Sequence, residues 1–372
     1  MGDALNCYLA EDVRADRDLP PFNRSTVDGF AVLASDTQSA PDVLEIIDEV
    51  AAGQASAVDV TKGKAIRIMT GAPMPRGADA VIMQERTEIP KPGFVRIDMK
   101  MRAGQNVSRR GEDAEAKQVV LPAGSRVGPA EIGILATVGC VRVPVRKRPL
   151  VGILGTGDEL VEPNETPGAP QIRNSNSYQL LAQCAAQHLP TTYLGIARDS
   201  REETRKRIEL GLKCDVFIST GGVSVGAHDH VGASFQELGV EIFFNKVAIK
   251  PGKPTTFGRR GETLVFGLPG NPVAALVCFH LFVMTAIRQR AGAADPLPRW
   301  FSLPLSENVR GSGDRTTFRP CKLIVKDGAT LVAPVTWHGS GHLAALSGCD
   351  GLFVQKPEED LTSGDRVTYY PF

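Results

Sequence analysis

The chain has no surplus of either charge: Lys+Arg and Asp+Glu number 42 each, and the formal net charge is zero. A protein built to coat nucleic acid or an anionic membrane needs a basic excess, so both classes are disfavoured. No paired-cysteine framework is present. The seven cysteines, Cys7, Cys140, Cys184, Cys214, Cys278, Cys321 and Cys349, are scattered and never spaced C-x-x-C. That argues against a disulfide scaffold and a structural zinc site. It favours small buried hydrophobes in a reducing, cytoplasmic compartment. Residues 1–20 carry charges throughout and contain no apolar core, so no secretory leader is expected. The longest apolar run, 273–287, is shorter than a bilayer span and contains His280. It reads as a buried helix. No repeat or low-complexity tract occurs. Two nucleotide signatures are also missing. Gly155-Thr-Gly157 lacks the dinucleotide spacing, and Gly252-Lys253 precedes Pro254 without the upstream glycine of a P-loop.

What is present is a chain of 372 residues with 38 Gly, 26 Pro and a 42% hydrophobic fraction. That length suggests two to four domains with real cores and many turns. Three blocks emerge. Residues 1–145 hold short segments at 43–50, 64–69, 80–84 and 95–99, separated by turns such as 71–77. They read as small antiparallel sheets without a long helix. Basic 145–149 forms a junction.

From about 149 to 291, strand and helix alternate. Strands are expected at 150–154, 192–196, 215–219, 241–249 and 264–268, and helices at 177–187, 200–212 and 231–238. A capping box, Ser200-x-x-Glu203, opens the second helix. Pro272 opens a long helix to Arg290. This alternation implies a three-layer α/β domain with a mostly parallel sheet. Beyond 296–298, alternating stretches at 301–305, 322–325, 330–335 and 366–370 suggest a small β domain. The fold class is thus multidomain α/β, with small mixed or β domains before the α/β domain and a β-barrel-like one after it.

In an open parallel sheet, ligands bind beyond the carboxyl ends of the strands. Three unusual loops lie there: 155–159 (Gly-Thr-Gly-Asp-Glu), 220–229 with Gly221-Gly222, and Pro269-Gly-Asn-Pro272. Glycines let backbone N–H groups approach an anion, and the last loop leads into a helix N-terminus. Each loop also has a plainer reading as a tight turn or cap. Lys246, Lys250 and Lys253 crowd one proline-rich stretch suited to an oxyanion. Asp158, Glu159 and Asp229 supply the oxygen ligands that Mg²⁺ prefers. His228 and His230 flank Asp229 and read as surface or packing residues rather than zinc ligands. In the first block, the loops 20–31, 67–73 and 104–113 are polar, and Asp28 stands out.

Seven segments, in order along nearly the whole chain, closely resemble the molybdopterin molybdenumtransferase (MoeA) family, relatives of the gephyrin E domain. They are Pro21-Phe22-x-x-Ser25-x-x-Asp28-Gly29-Phe30-Ala31, Met69-Thr70-Gly71-Ala72-Pro73, and Gly104-Gln105-Asn106 with Arg110-Gly111-Glu112-Asp113. Gly155-Thr156-Gly157-Asp158-Glu159-Leu160 and Gly221-Gly222-Val223-Ser224-Val225-Gly226 follow. Lys250-Pro251-Gly252-Lys253-Pro254 and Gly267-Leu268-Pro269-Gly270-Asn271-Pro272 complete the set.

The resemblance implies an elongated homodimer with four domains. They are 1–22 with 110–148 (dimer-forming), 23–109 (inserted, β-rich), 149–292 (α/β, similar to small molybdopterin adenylyltransferases) and 298–372 (β). It implies insertion of molybdate into adenylylated molybdopterin with release of AMP, dependent on Mg²⁺. The implied catalytic residues are Asp229, Lys250 and Lys253, with Asp28, Thr70 and Asp113 coming from the partner subunit. Asp229 and Asp158 are the implied metal ligands. The implied pterin and phosphate site is Gly155, Thr156, Asp158, Glu159, Gly221, Gly222, Ser224, Lys246 and the turn Pro269, Gly270, Asn271 and Pro272. Arg319 and Ser340 join it from the last domain. Implied protein partners are a molybdopterin adenylyltransferase and molybdoenzyme chaperones.

Three departures accompany the resemblance. The family pattern has about one further helix ahead of the segment matching 2–9. It often has an acid where Ala227 stands and an aromatic where His230 stands. The stretch 339–343 matches only loosely. Two alternatives stay open: the same reaction with tungstate, or a pterin-binding scaffold or sensor without turnover.

Overall fold

A computed structural model describes residues 1–222, 230–311 and 313–372. The chain forms two compact units. One comprises Met1–Asp3, Glu11–Ala123 and Gly128–Val143; the other comprises Ala4–Ala10, Gly124–Val127 and Pro144–Phe372.

The first unit is built on a six-stranded sheet in the order Ala80–Met83, Gly29–Val32, Lys64–Ile68, Asp42–Val50, Phe94–Ile97, Thr87–Lys91. Alternate residues of each strand point to opposite faces. Phe30, Leu44, Ile82 and Ile97 therefore pack on one face, and Ala31, Val50, Ile66 and Val81 on the other. One pairing departs from the expected antiparallel pattern: Asp42–Val50 runs parallel to Lys64–Ile68. The chain between them, 51–63, is long enough to return to the same end of the sheet, which a tight hairpin cannot do. The unit's helix, Pro129–Thr137, is nine residues long and is capped by Glu131, which accepts from the Gly128 N–H at 2.9 Å.

The second unit carries the α/β domain. Its six-stranded sheet runs Thr191–Ala197, Val151–Thr156, Val216–Thr220, Thr263–Leu268, Thr256–Arg260, Glu241–Phe244. The first four strands are parallel and the last two pairings antiparallel. Helices Ser175–Ala186 and Pro272–Arg290 cover one face with Leu180, Cys184, Phe279, Val283 and Ile287. Helices Arg201–Gly211 and His230–Glu237 cover the other with Ile208, Leu212, Val231 and Phe235. By length and composition the 19-residue helix Pro272–Arg290 could cross a membrane, yet Val273, Val277, Cys278 and Val283 are fully buried in the core.

Three local expectations are corrected. The expected capping box does not form: Ser200 makes no side-chain hydrogen bond to the helix, its N–H donates to the Arg198 carbonyl at 2.6 Å, and Glu203 faces Arg207 at 3.7 Å. The strand expected over 241–249 divides in two. Glu241–Phe244 stays in the α/β sheet, and Ile249–Lys250 pairs in parallel with Thr316 and Thr317 of the C-terminal sheet. Strand Thr256–Arg260, not expected from the sequence, forms a hairpin with Thr263–Leu268 through Gly261.

The C-terminal sheet orders Ile249–Lys250, Thr316–Lys326, Gly351–Gln355, Arg366–Pro371 and Phe301–Pro304, with Ala329–Pro334 also paired to Thr316–Lys326. Its core holds Leu305, Cys321, Val332, Phe353 and Tyr369. All seven cysteines are free. Burial pushes the thiols of Cys184, Cys278 and Cys321 up to about 12, which leaves them unreactive.

Candidate functional site

The carboxyl ends of Val151–Thr156, Val216–Thr220 and Thr263–Leu268 lie side by side, because these strands pair in register: Gly155 opposite Thr220, and Thr220 opposite Leu268. The residues that follow them, 157–159, Gly221-Gly222 and 269–272, are thereby gathered at one edge. Thr156, buried, donates through Oγ1 to the Thr220 carbonyl at 3.3 Å. Gly221 has φ +90°, and a Cβ there would stand 2.5 Å from the Thr156 carbonyl oxygen. The two loops touch so closely that only glycine fits.

The turn 269–272 is tied to the same edge. The Thr220 hydroxyl donates to the Pro269 carbonyl at 3.2 Å. Asn176, in the first turn of helix Ser175–Ala186, donates from Nδ2 to the Thr220 hydroxyl at 2.9 Å and to the Gly270 carbonyl at 2.7 Å. Its Oδ1 is buried and has no partner, as does the Ser177 Oγ beside it in sequence. A buried acceptor without a donor is costly.

Asp158 and Glu159 follow the first strand and are exposed. Asp158 accepts from the Asp199 N–H at 3.0 Å through Oδ1. Among the described residues, no group of three His, Cys, Asp or Glu side chains is placed to hold a metal ion. Asp229 and Ser224 lie outside the described residues.

The lysine-bearing segment forms a distinct wall. Strand Ile249–Lys250 is held on the C-terminal sheet, and Arg315 donates to the Ile249 carbonyl at 2.9 Å. Lys250, Lys253 and Arg315 line a cavity of about 260 Å³, with Pro269, Asn271, Trp337 and Ser340 among its other walls. Asn271 Nδ2 donates to Ser340 Oγ at 2.8 Å, and the Val273 N–H donates to the Ser340 carbonyl at 3.0 Å. Ser340 thus satisfies a free N–H at the start of helix Pro272–Arg290 and joins the C-terminal domain to the 269–272 turn. Three cations around a small cavity next to a helix N-terminus can hold a compact dianion.

Lys246 and Arg319, like the residues of the 155–159 and 221–222 loops, do not line this cavity. Lys246 is exposed. Arg319 donates to Gln355 Oε1 at 2.7 Å and to the Arg310 carbonyl at 3.3 Å, and burial pushes its guanidinium pKa down. Those bonds are internal to the C-terminal domain. Conversely, Asn176, Arg315 and Trp337 join the site without having stood out in the sequence. Asn174, which accepts from the Ser177 N–H at 3.2 Å, was readable as a helix cap, but nothing local marks Asn176.

In the first unit, Asp28 Oδ1 accepts from both the N–H and the hydroxyl of Thr70, each at 2.7 Å. These bonds, the backbone one foremost, hold the Asp28 carboxyl below its usual range. Asp113 faces Arg24 at 3.8 Å.

The comparisons with known proteins agree across the chain. Residues 1–139 match the family described as "MoeA N-terminal region (domain I and II)", 152–289 match "Probable molybdopterin binding domain", and 302–372 match "MoeA C-terminal region (domain IV)". The molybdopterin molybdenumtransferase of Bacillus subtilis (strain 168) is 36% identical over 362 residues, covering 95% of this chain and 84% of the relative. One from Staphylococcus epidermidis (strain ATCC 12228 / FDA PCI 1200) is 33% identical over 359 residues, covering 95% and 85%. Among solved structures, the molybdopterin biosynthesis MoeA protein of Pyrococcus horikoshii OT3 is similar with a TM-score of 0.83 and 29% identity, covering 100% of this chain and 93% of its own. With three family regions matched in order and a relative 36% identical across nearly its whole length, the chain belongs to the molybdopterin molybdenumtransferase (MoeA) family.

Proposed function

We propose that this enzyme inserts molybdenum from molybdate into adenylylated molybdopterin and releases AMP. The observation that carries the reading is the cavity walled by Lys250, Lys253 and Arg315 beside the turn 269–272. Molybdate is a compact dianion, and three cations at one small cavity suit it. Gly221, Gly222 and the 269–272 turn bring backbone close enough to admit the pterin phosphate. Asn176 holds that turn against Thr220. Gly155, Thr156, Asp158 and Glu159 belong to the same edge and to the same proposal; Asp229 and Ser224 enter the proposal from the resemblance alone. Lys246 and Arg319 have no support from geometry.

The homodimer, its four-domain division, a cytoplasmic setting, and the role of Asp28, Thr70 and Asp113 from a partner subunit rest on the resemblance and remain part of the proposal. So do encounters with a molybdopterin adenylyltransferase and with molybdoenzyme chaperones. Mg²⁺ belongs here too, without support from the described residues, so no step is assigned to it.

The test is AMP release from adenylylated molybdopterin, with and without molybdate and with and without Mg²⁺. Lys250→Ala and Asp229→Ala run alongside. Molybdate-dependent release that both variants lose supports the reading. Pterin binding without release would overturn it in favour of a scaffold or sensor. Faster release with tungstate would replace the metal.

A further inference from the structure

Strand Thr191–Ala197 lies at the edge of the α/β sheet and pairs in parallel with Val151–Thr156. The hydroxyl of its half-buried Tyr193 is a meeting point. It donates to Glu162 Oε1 at 2.7 Å and accepts from Asn174 Nδ2 at 3.0 Å. The other oxygen of the same carboxylate accepts from the exposed Tyr178 hydroxyl at 3.0 Å, and the two tyrosine rings stand 5.7 Å apart. Burial first, and the Glu162 hydrogen bond next, push the Tyr193 phenol pKa up. It therefore stays a neutral hydroxyl that donates and accepts at once.

The groups joined there border the substrate edge. Glu162 follows the short strand Leu160–Val161, which comes directly after residues 157–159. The Asn174 N–H donates to the Val161 carbonyl at 2.9 Å. Asn174 is buried and caps helix Ser175–Ala186, its Oδ1 accepting from the Ser177 N–H at 3.2 Å. The cap also packs on the end of a central strand: a Cβ on Gly155 would stand 3.0 Å from Asn174 Nδ2.

Asn176 sits between the cap and Ser177, and its amide holds the Thr220 hydroxyl and the Gly270 carbonyl. The Asn174 carboxamide thus has its oxygen on the helix and its nitrogen on Tyr193. Without the phenol oxygen, that nitrogen would lose its acceptor in a buried place, which is costly and loosens the cap. Asn176 lies two residues from that cap. Tyr193 itself does not line the lysine cavity, so its route to the site is indirect.

We propose that Tyr193 is a positioning residue for the substrate site. Its hydroxyl fixes the Asn174 cap and, through it, the Asn176 amide that sets the 269–272 turn on the wall of the lysine cavity. This inference rests on the reading that the cavity receives molybdate.

The test measures AMP release against molybdate concentration, well below the melting transitions, for the wild type, Tyr193→Phe, Asn174→Ser and Tyr178→Phe. Asn174→Ser keeps a capping oxygen but has no amide to reach Tyr193. Tyr193→Phe and Asn174→Ser should each lower release at limiting molybdate by roughly three- to tenfold, the scale of one hydrogen bond. Most of that loss should vanish at saturating molybdate. Tyr178→Phe, which removes only the second bond to Glu162, should behave as the wild type. Added to Asn176→Ala, Tyr193→Phe should cost nothing further, because its route to the site is already cut.

Undiminished release in both Tyr193→Phe and Asn174→Ser overturns the proposal. So does an equal loss in Tyr178→Phe, a loss that multiplies with that of Asn176→Ala, or a Tyr193→Phe defect that saturating molybdate leaves unchanged. A wild type that releases no AMP at any molybdate concentration overturns the functional reading itself, and the role of Tyr193 falls with it.

Discussion

Asn176 Nδ2 donates to the Gly270 carbonyl at 2.7 Å across a sequence separation of 94 residues, and the same nitrogen reaches the Thr220 hydroxyl at 2.9 Å. One side chain therefore holds the end of a central strand against the turn that opens the longest helix. The three cations of the small cavity are positioned around that turn, so its placement bears on substrate geometry as well as on stability.

Replacing Asn176 with Ala leaves the Gly270 carbonyl without its donor. We expect a loss of stability of about 1–3 kcal/mol. AMP release should fall by roughly tenfold or more, because misplacement of a binding turn is felt in the rate. Thermal melts and steady-state kinetics check both. Asn176→Gln, which keeps the amide but misplaces it, should not rescue the rate.

Gly221→Ala places a methyl 2.5 Å from the Thr156 carbonyl oxygen in a residue with φ +90°. Backbone strain at such positions is worth about 1–3 kcal/mol, and the close contact adds to it. Denaturant unfolding should show the loss. Gly239→Ala, with φ +73° but open space around its Cβ, should be milder.

Lys253→Ala and Arg315→Ala should each raise the molybdate concentration needed for half-maximal rate, with overall loss of roughly 10²-fold, the scale seen when one charge-stabilising donor is removed. Arg319→Ala should behave differently. Its bonds run to Gln355 and Arg310, so the melting transition should drop while the molybdate dependence stays. An Arg319 variant that raised the molybdate requirement would count against this placement.

The Asp28 carboxyl is held low chiefly by the Thr70 N–H and next by its hydroxyl. A carboxylate whose folded-state pKa is depressed stabilises the fold above its unfolded value and loses that contribution as pH falls through the folded one. The Asp28–Thr70 link should therefore persist at neutral pH and weaken in acid, below the ordinary carboxylate range. Thr70→Val removes the hydroxyl but keeps the N–H. The Asp28 titration, followed by carboxyl NMR, should move upward only part of the way to its ordinary value.

Much of this architecture was legible from spacing. The strand–helix alternation of the middle block, Pro272 at a helix start, and Gly221-Gly222 after a strand are local patterns with local physical causes, and they appear where expected. Other features were not legible. Ile249–Lys250 reads as the tail of a strand, but it leaves the α/β sheet to pair with Thr316 and Thr317. No residue near 249 signals a partner that begins so much later in the chain. Arg319 aligned with an expected site position, yet its side chain is occupied by Gln355. The register of Thr316–Lys326 on Gly351–Gln355 decides that, and pattern alone does not set it.

The sequence by itself determined the family, the α/β core and the three loops that meet at its edge. Each depends on glycine, proline and apolar spacing, whose effects act within a few residues. Only the tertiary structure decided which polar side chains converge there. Asn176, Arg315 and Ser340 reach the site from separate elements. The cationic cavity exists because the C-terminal sheet takes up Lys250's strand. Such convergence depends on long-range packing and strand register, which no local run of residues encodes.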